Sequence, residues 1–159
     1  YHMWYIHGTK WVRFSGNEAP DRIYKIAHAI SLDGISWQKE GRQIISDKLA
    51  PDECQALPTV IFFNNRYHMF FCYRQPDGFR RNKHRGYRIG YAFSNDLKNW
   101  IRKDHEAGID ISKDSWDSDM ICYPNVFHCD DKIYILYNGN EFGRYGFGIA
   151  VLESDTSIT

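Results

Sequence analysis

Two acidic residues occupy matching places in this chain. Glu53 stands five residues before Pro58 and Asp119 five before Pro124, and the two sets are 66 residues apart. Arg74 and Asn140 match at the same offset. Two carboxylates at one rim can divide acid–base work. One, kept protonated, donates to a leaving oxygen while the other, ionised, acts as base or nucleophile, the pair that cleavage of a glycosidic bond requires. Glu53 is therefore the expected proton donor, Asp119 the second carboxylate, and Arg74 and Asn140 groups that position a ligand. Asp117, two residues before Asp119, is a further acid suited to holding its own loop through backbone amides. Asn138 opens a glycine-punctuated stretch, 138–143, whose backbone can approach a ligand closely. Trp4, Tyr73 and Tyr123 are candidate platforms for the apolar face of a sugar, weighed against the commoner use of strand aromatics as core. The seven histidines and four cysteines show no metal-ligand spacing, so no metal and no cofactor are expected.

The elements that must carry these residues follow from an internal repeat. Tyr1-His2-Met3-Trp4-Tyr5 returns as Tyr67-His68-Met69-Phe70-Phe71 and, more loosely, as Ile133-Tyr134-Ile135-Leu136-Tyr137. Ile26-Ala27-His28-Ala29-Ile30-Ser31 returns as Ile89-Gly90-Tyr91-Ala92-Phe93-Ser94, and Phe147-Gly148-Ile149-Ala150 is a shorter third copy. Each block is short and rich in β-branched and aromatic residues. The blocks are separated by Asn64-Asn65, Asp130-Asp131, Asp33-Gly34 and Asn95-Asp96, all suited to tight turns. The unit reads as four antiparallel strands over 58–63, 67–73, 87–94 and 99–103, which is one propeller blade. No sustained 3.6-residue apolar period occurs, so few helices are expected.

The expected fold is all-β, a five-bladed β-propeller of four-stranded antiparallel blades. This chain holds three, four and three strands, or about two and a half blades. It is expected to be one partial domain over 1–159, with blade boundaries near 1–48, 52–104 and 118–159. Longer connections, 8–22, 38–57, 75–86, 104–123 and 138–145, fall at one end, where binding usually resides. Strand edges left open in an incomplete ring invite pairing with another chain. A homodimer, or the missing blades of a longer chain, is expected to close it.

Lys plus Arg equals Asp plus Glu at 20 each, so no global field favours nucleic acid or an anionic membrane. The one basic stretch, 79–88, is by default a solvated loop. At the mouth of a propeller it could instead meet a carboxylated or phosphorylated sugar. No apolar run approaches the ~20 residues of a membrane helix, and the first residues lack the layout of a signal peptide. The four cysteines read as buried free thiols, which points to a reducing, cytoplasmic setting.

The stretches 52–58, 67–74, 87–92 and 137–140 resemble a bacterial group of glycosidase-like proteins related to the five-bladed arabinanase, xylosidase and invertase families. The resemblance spans nearly the whole chain. In those enzymes three acids on the inner strands of three blades serve as base or nucleophile, as general acid and as a modulator of its pKa. Glu53, beside Cys54, looks like their acid-bearing Glu-Cys or Glu-Gly-Pro motif, and Asp119 is similar in position to a second acid. The resemblance implies a glycoside hydrolase-like protein with carbohydrate as partner. The alternatives are a non-catalytic carbohydrate-binding propeller and, through the Asp-box-like stretch 31–37, a sialidase-like one.

Overall fold

A computed structural model describes residues 1–16 and 19–153. Residues 17–18 of the expected 8–22 connection and the last six residues of the expected domain lie outside the described residues. Strands β1 (His2–Val12), β2 (Asp21–Ile30) and β3 (Gln38–Lys39) form a first antiparallel sheet. β4 (Cys54–Phe63), β5 (Arg66–Arg74), β6 (Arg88–Ser94) and β7 (Ile101–Arg102) form a second, and β8 (Cys122–Cys129), β9 (Lys132–Asn138) and β10 (Phe147–Val151) a third. Among the described residues, three, four and three strands are therefore present, as expected of a propeller complete only in its middle blade.

Strand β5 shows why the blades stack. Met69, Phe71 and Tyr73 pack with Ile26 and Ile45 of the first blade region, while Cys72, one residue out of phase, packs with Met120, Ile121 and Cys122 of the third. Side chains alternate across a strand, so an apolar run places one set on each face, and both faces are covered. The inner strands β4 and β8 also meet directly, with the Val126 N–H donating to Thr59 Oγ1 at 3.2 Å.

The turns follow the residues that make them. Asn64 and Asn65 both adopt positive φ, 46° and 56°, which suits a two-residue hairpin. At the same end, Ser31 Oγ accepts from the Asp33 and Gly34 amides, and Asp33 Oδ1 accepts from those of Ile35 and Ser36. The pattern is repeated by Ser94 and Asp96, with Leu97 (φ 63°) where the first copy has Gly34 (φ 77°). The Asp-box-like stretch is thus a structural corner shared by two blades.

At the opposite end the strands run further than expected, and β4 continues through Pro58. Its register breaks between Ala56 and Thr59, and that of β8 breaks between Cys122 and Asn125. Each break is a bulge containing a proline, where a missing N–H costs the ladder nothing. The residues just before the prolines, Leu57 and Tyr123, are forced to φ 46° and 58°. Of the cysteines, Cys54, Cys72 and Cys122 are buried and Cys129 is exposed, all free. The exposed Cys129 departs from the expectation because it ends β8 at the hairpin turn. No helix among the described residues is long and apolar enough to cross a membrane.

Gly90 lies opposite Phe71, and a Cβ there would meet the Phe71 ring at 2.5 Å. Gly90→Ala is therefore expected to destabilise the fold by about 1–3 kcal/mol, measurable by urea unfolding. The N–H groups of Ser36 and Ile35 hold the Asp33 carboxyl well below the usual range, and those of Asn99 and Lys98 do the same for Asp96. Folded values below the unfolded value of about 4 mean that this stabilisation is complete above about pH 4 and fades as pH falls towards the folded values. Thermal unfolding between about pH 7 and pH 2 is expected to show that loss, and Asp96→Ala to flatten it.

Candidate functional site

The loop-rich end is where β4 and β8 begin. Glu53, immediately before β4, is fully buried and turned towards the outermost strand of its blade. Its Oε1 accepts from Arg102 Nη1 at 2.6 Å and Gln55 Nε2 at 3.0 Å, and its Oε2 accepts from the Lys48 and Leu49 amides, both at 3.0 Å. Four donors leave neither oxygen free for a ligand. Lys25 Nζ reinforces the same corner by donating to the Glu53 carbonyl at 2.7 Å and Asp47 Oδ1 at 2.6 Å.

Asp119, the repeat equivalent of Glu53, is exposed. Its amide and that of Met120 donate to Asn140 Oδ1 at 2.7 and 3.1 Å, and its carbonyl accepts from Arg88 Nη1 at 3.0 Å. Asn140 thus holds the backbone that presents Asp119. The structure does not bring Glu53 and Asp119 to one cavity: the first points into the protein and the second to solvent.

Arg74 is also turned inward, at 4% exposed. It donates to the Gln75 and Pro76 carbonyls and to the Tyr24 hydroxyl, and its guanidinium lies 3.6 Å from the Phe79 ring centroid. A planar cation stacks on an aromatic face as well as it forks a carboxylate, and here the first use wins. Arg74 therefore positions Phe79 and the start of the 75–87 loop. Asp117 is 2% exposed and accepts from the Tyr137 hydroxyl at 3.3 Å, where backbone amides were expected as its partners. Asn138 donates to the Phe142 carbonyl at 3.1 Å, fixing the turn that follows β9. Trp4 lies towards the opposite end, packed against His28 and edge-on to Trp100, and Tyr73 is core. Both are corrected from platform to packing.

Of the concavities that open at this end, two reach residues of the third blade. One, about 490 Å³, is lined by Leu57 and Tyr123 from the two bulges together with Tyr24, Tyr87 and Arg22. The other, about 550 Å³, is lined by Arg80, Arg81 and Lys83 on one side and Asp119, Glu141 and Phe142 on the other. An aromatic partition joins them: Tyr123 stacks on Phe142 with centroids 6.1 Å apart, and Tyr87 touches both rings. The Tyr24 and Tyr87 hydroxyls bond to each other beside Arg74. Burial raises both of their pKa values and pushes Tyr123 up to about 12, so these phenols stay neutral donors and acceptors.

Of the residues lining these concavities, Tyr123 and Asp119 are ones the sequence singled out, and Leu57, Tyr24, Tyr87, Phe142 and Glu141 are not. Leu57 was signalled by its 66-residue offset from Tyr123. Glu141 and Phe142 sit in the polar turn already singled out, where both take left-handed φ of 52° and 62°. Such strain in a non-glycine pair persists only where the surroundings hold it, and it is common at ligand sites.

The two equivalent acids should respond differently to substitution. Glu53→Ala leaves Arg102 short of a buried counter-charge and is expected to cost about 3 kcal/mol. Asp119→Asn should change stability by less than about 0.5 kcal/mol. Chemical unfolding of both variants checks the difference.

No protein-family model matches the chain. It is 38% identical over 155 residues to two uncharacterized proteins of Mycobacterium tuberculosis strains, a match covering 97% of this chain and 47% of each relative. The chain therefore spans about half the length of the curated relatives it matches. Among solved structures it is similar to a family 117 glycoside hydrolase of Zobellia galactanivorans, with a TM-score of 0.73 and 21% identity over 98% of this chain and 49% of that one. An exo-1,5-alpha-L-arabinanase from a bovine ruminal metagenomic library matches with a TM-score of 0.60 and 16% identity, over 88% of this chain and 51% of that one. At these identities the likeness is one of fold. The chain has the all-β fold of part of a glycoside hydrolase-like propeller.

Proposed function

We propose that this chain forms one wall of a carbohydrate-binding mouth on a glycoside hydrolase-like propeller. The observation that carries the reading is the aromatic partition of Tyr87, Tyr123 and Phe142 between two concavities, with the exposed carboxylates Asp119 and Glu141 lining one of them. Rings supply flat apolar contact for sugar C–H faces, and carboxylates accept from sugar hydroxyls. Neutral buried phenols at Tyr24 and Tyr87 add hydroxyl partners without charge.

Hydrolysis is the finer reading, favoured by the presence of two carboxylates in one concavity. In this arrangement Asp119 and Glu141 are the candidates to face a glycosidic oxygen, and Glu53 supports the scaffold. Glu141 accepts from Arg144 Nη1 at 2.9 Å. The two carboxylates divide the roles of acid and base between them. The open edges of the fold belong to the same reading. β1 and β10 each end a sheet, β10 exposes Phe147 and Ile149, and further strands from a longer chain or a second copy would complete the ring.

Calorimetry with a panel of neutral and charged oligosaccharides tests the binding site. Tyr123→Ala is expected to weaken binding about tenfold, the worth of one aromatic contact. Binding that survives both Tyr123→Ala and Phe142→Ala unchanged overturns the mouth assignment. Turnover of aryl glycosides that is lost in Asp119→Asn supports hydrolysis. Saccharide binding with no turnover of any glycoside leaves the non-catalytic alternative.

A further inference from the structure

We infer that the mouth selects saccharides carrying an anionic group, a uronate carboxylate or a phosphate ester, through the cationic wall of Arg80, Arg81 and Lys83. The inference rests on the carbohydrate-binding reading and adds the substrate class.

The chain as a whole has no charge bias, with 20 basic and 20 acidic residues, so a cluster of cations here is not a by-product of a basic protein. The cations of the 79–88 stretch divide into two sets. Arg85 is spent on Asp77, donating to its carboxylate and, at 2.9 Å, to its carbonyl. Arg88 is spent on the Lys83 and Asp119 carbonyls, at 3.1 and 3.0 Å. Those two hold the loop. Arg80, Arg81 and Lys83 are exposed on the wall of the 550 Å³ concavity, and among the described residues none of the three forms an ion pair. Arg80 is steadied over the Phe79 ring, 4.2 Å from its centroid, and the other face of that interaction network is the buried Arg74.

The loop is also rigid in the ways that matter for recognition. The Arg81 and Asn82 amides both donate to the Gly78 carbonyl at 3.0 Å, and the Asn82 side chain accepts from the His84 amide at 2.9 Å. The cations therefore start from a fixed backbone, which lowers the ordering cost of binding.

The opposite wall decides what kind of anion fits. Glu141 is already balanced by Arg144, but among the described residues Asp119 has no cation on its carboxylate. A polyanion such as nucleic acid would place phosphate after phosphate against Asp119. A sugar with one acidic group can instead give hydroxyls to Asp119 and its anion to Arg81 and Lys83, using both walls at once. Guanidinium and ammonium groups meet carboxylate and phosphate with charge-assisted hydrogen bonds, so either anion satisfies the geometry.

The test compares matched ligands by calorimetry at low and high salt: an oligosaccharide with a single terminal uronate against its methyl ester, and a hexose phosphate against the free hexose. The expected result is at least about tenfold tighter binding of one or both charged ligands, weakened by salt and reduced to the neutral level in the Arg81→Gln/Lys83→Gln variant. Both substituted side chains are exposed and form no ion pair among the described residues, so the variant is expected to unfold at the same temperature as the parent. Preference in the uronate pair alone assigns a carboxylate, and in the phosphate pair alone a phosphate. Equal binding of charged and neutral partners, with sensitivity to Tyr123→Ala intact, overturns the anion selectivity and leaves the mouth standing. Absence of binding to every saccharide overturns both.

Discussion

The buried Glu53–Arg102 ion pair is the contact on which the loop-rich end depends. It joins the start of the inner strand β4 to the outermost strand β7 across the middle blade, and it draws in the 46–49 backbone through Lys48, Leu49 and Ser46. A charge removed from water is costly unless its partners are complete, and Glu53 has all four acceptor sites used. The arrangement acts as a register pin. With β4 fixed at its entrance, the bulge at Leu57 follows at a set position, and Arg74, opposite Cys54 in the ladder, is placed to stack on Phe79. The middle-blade side of the aromatic partition, at Tyr87 and Phe79, is therefore downstream of a polar contact elsewhere in that blade.

The two bulges do complementary work. Each interrupts an inner strand one residue before a proline and turns a side chain, Leu57 or Tyr123, towards the 490 Å³ opening between the blades. The left-handed conformation of a residue before proline runs against local preference. It is maintained by neighbours on both sides, since β4 and β8 are bonded to their partners before and after the break. An opening shaped by two such kinks is less able to collapse than one lined by mobile loops, which suits a site that must present rings at fixed spacing.

Much of this was legible in the sequence, and the reason is the repeat. Duplication at 66 residues made the strands, their order and the count of three, four and three readable, because alternation and turn residues are local properties. Asn64-Asn65 and the Ser94–Asp96 corner behaved as their side chains dictate. The site was less legible. The partner of Glu53 is 49 residues away, in a two-residue strand with no signal beyond a short Ile-Arg. Arg74 was read as a ligand group from its repeat-matched place and Trp4 because its type suits sugars, but cations and large rings are equally suited to stacking inside a blade, and only packing decides. Leu57 was overlooked because an aliphatic side chain carries no chemistry in itself. Its importance comes from a backbone conformation that the residue type disfavours.

A repeat copies backbone positions and leaves environments free to diverge. Glu53 and Asp119 enter equivalent strands, yet one is enclosed by the 46–49 segment and Arg102, and the other has Asn140 supporting its backbone and solvent at its carboxylate. The same division holds for Arg74 and Asn140, the first buried under an aromatic ring and the second pinning the 115–120 loop through Ser115 and Ser118. The middle blade thus contributes the rigid support and the cationic loop, and the third blade contributes the exposed carboxylates. Charge of one sign on each wall of one concavity arises without either blade carrying a complete site. The shape and charge of this concavity are consequently a property of how adjacent blades face each other, which is the level at which the repeat has been broken.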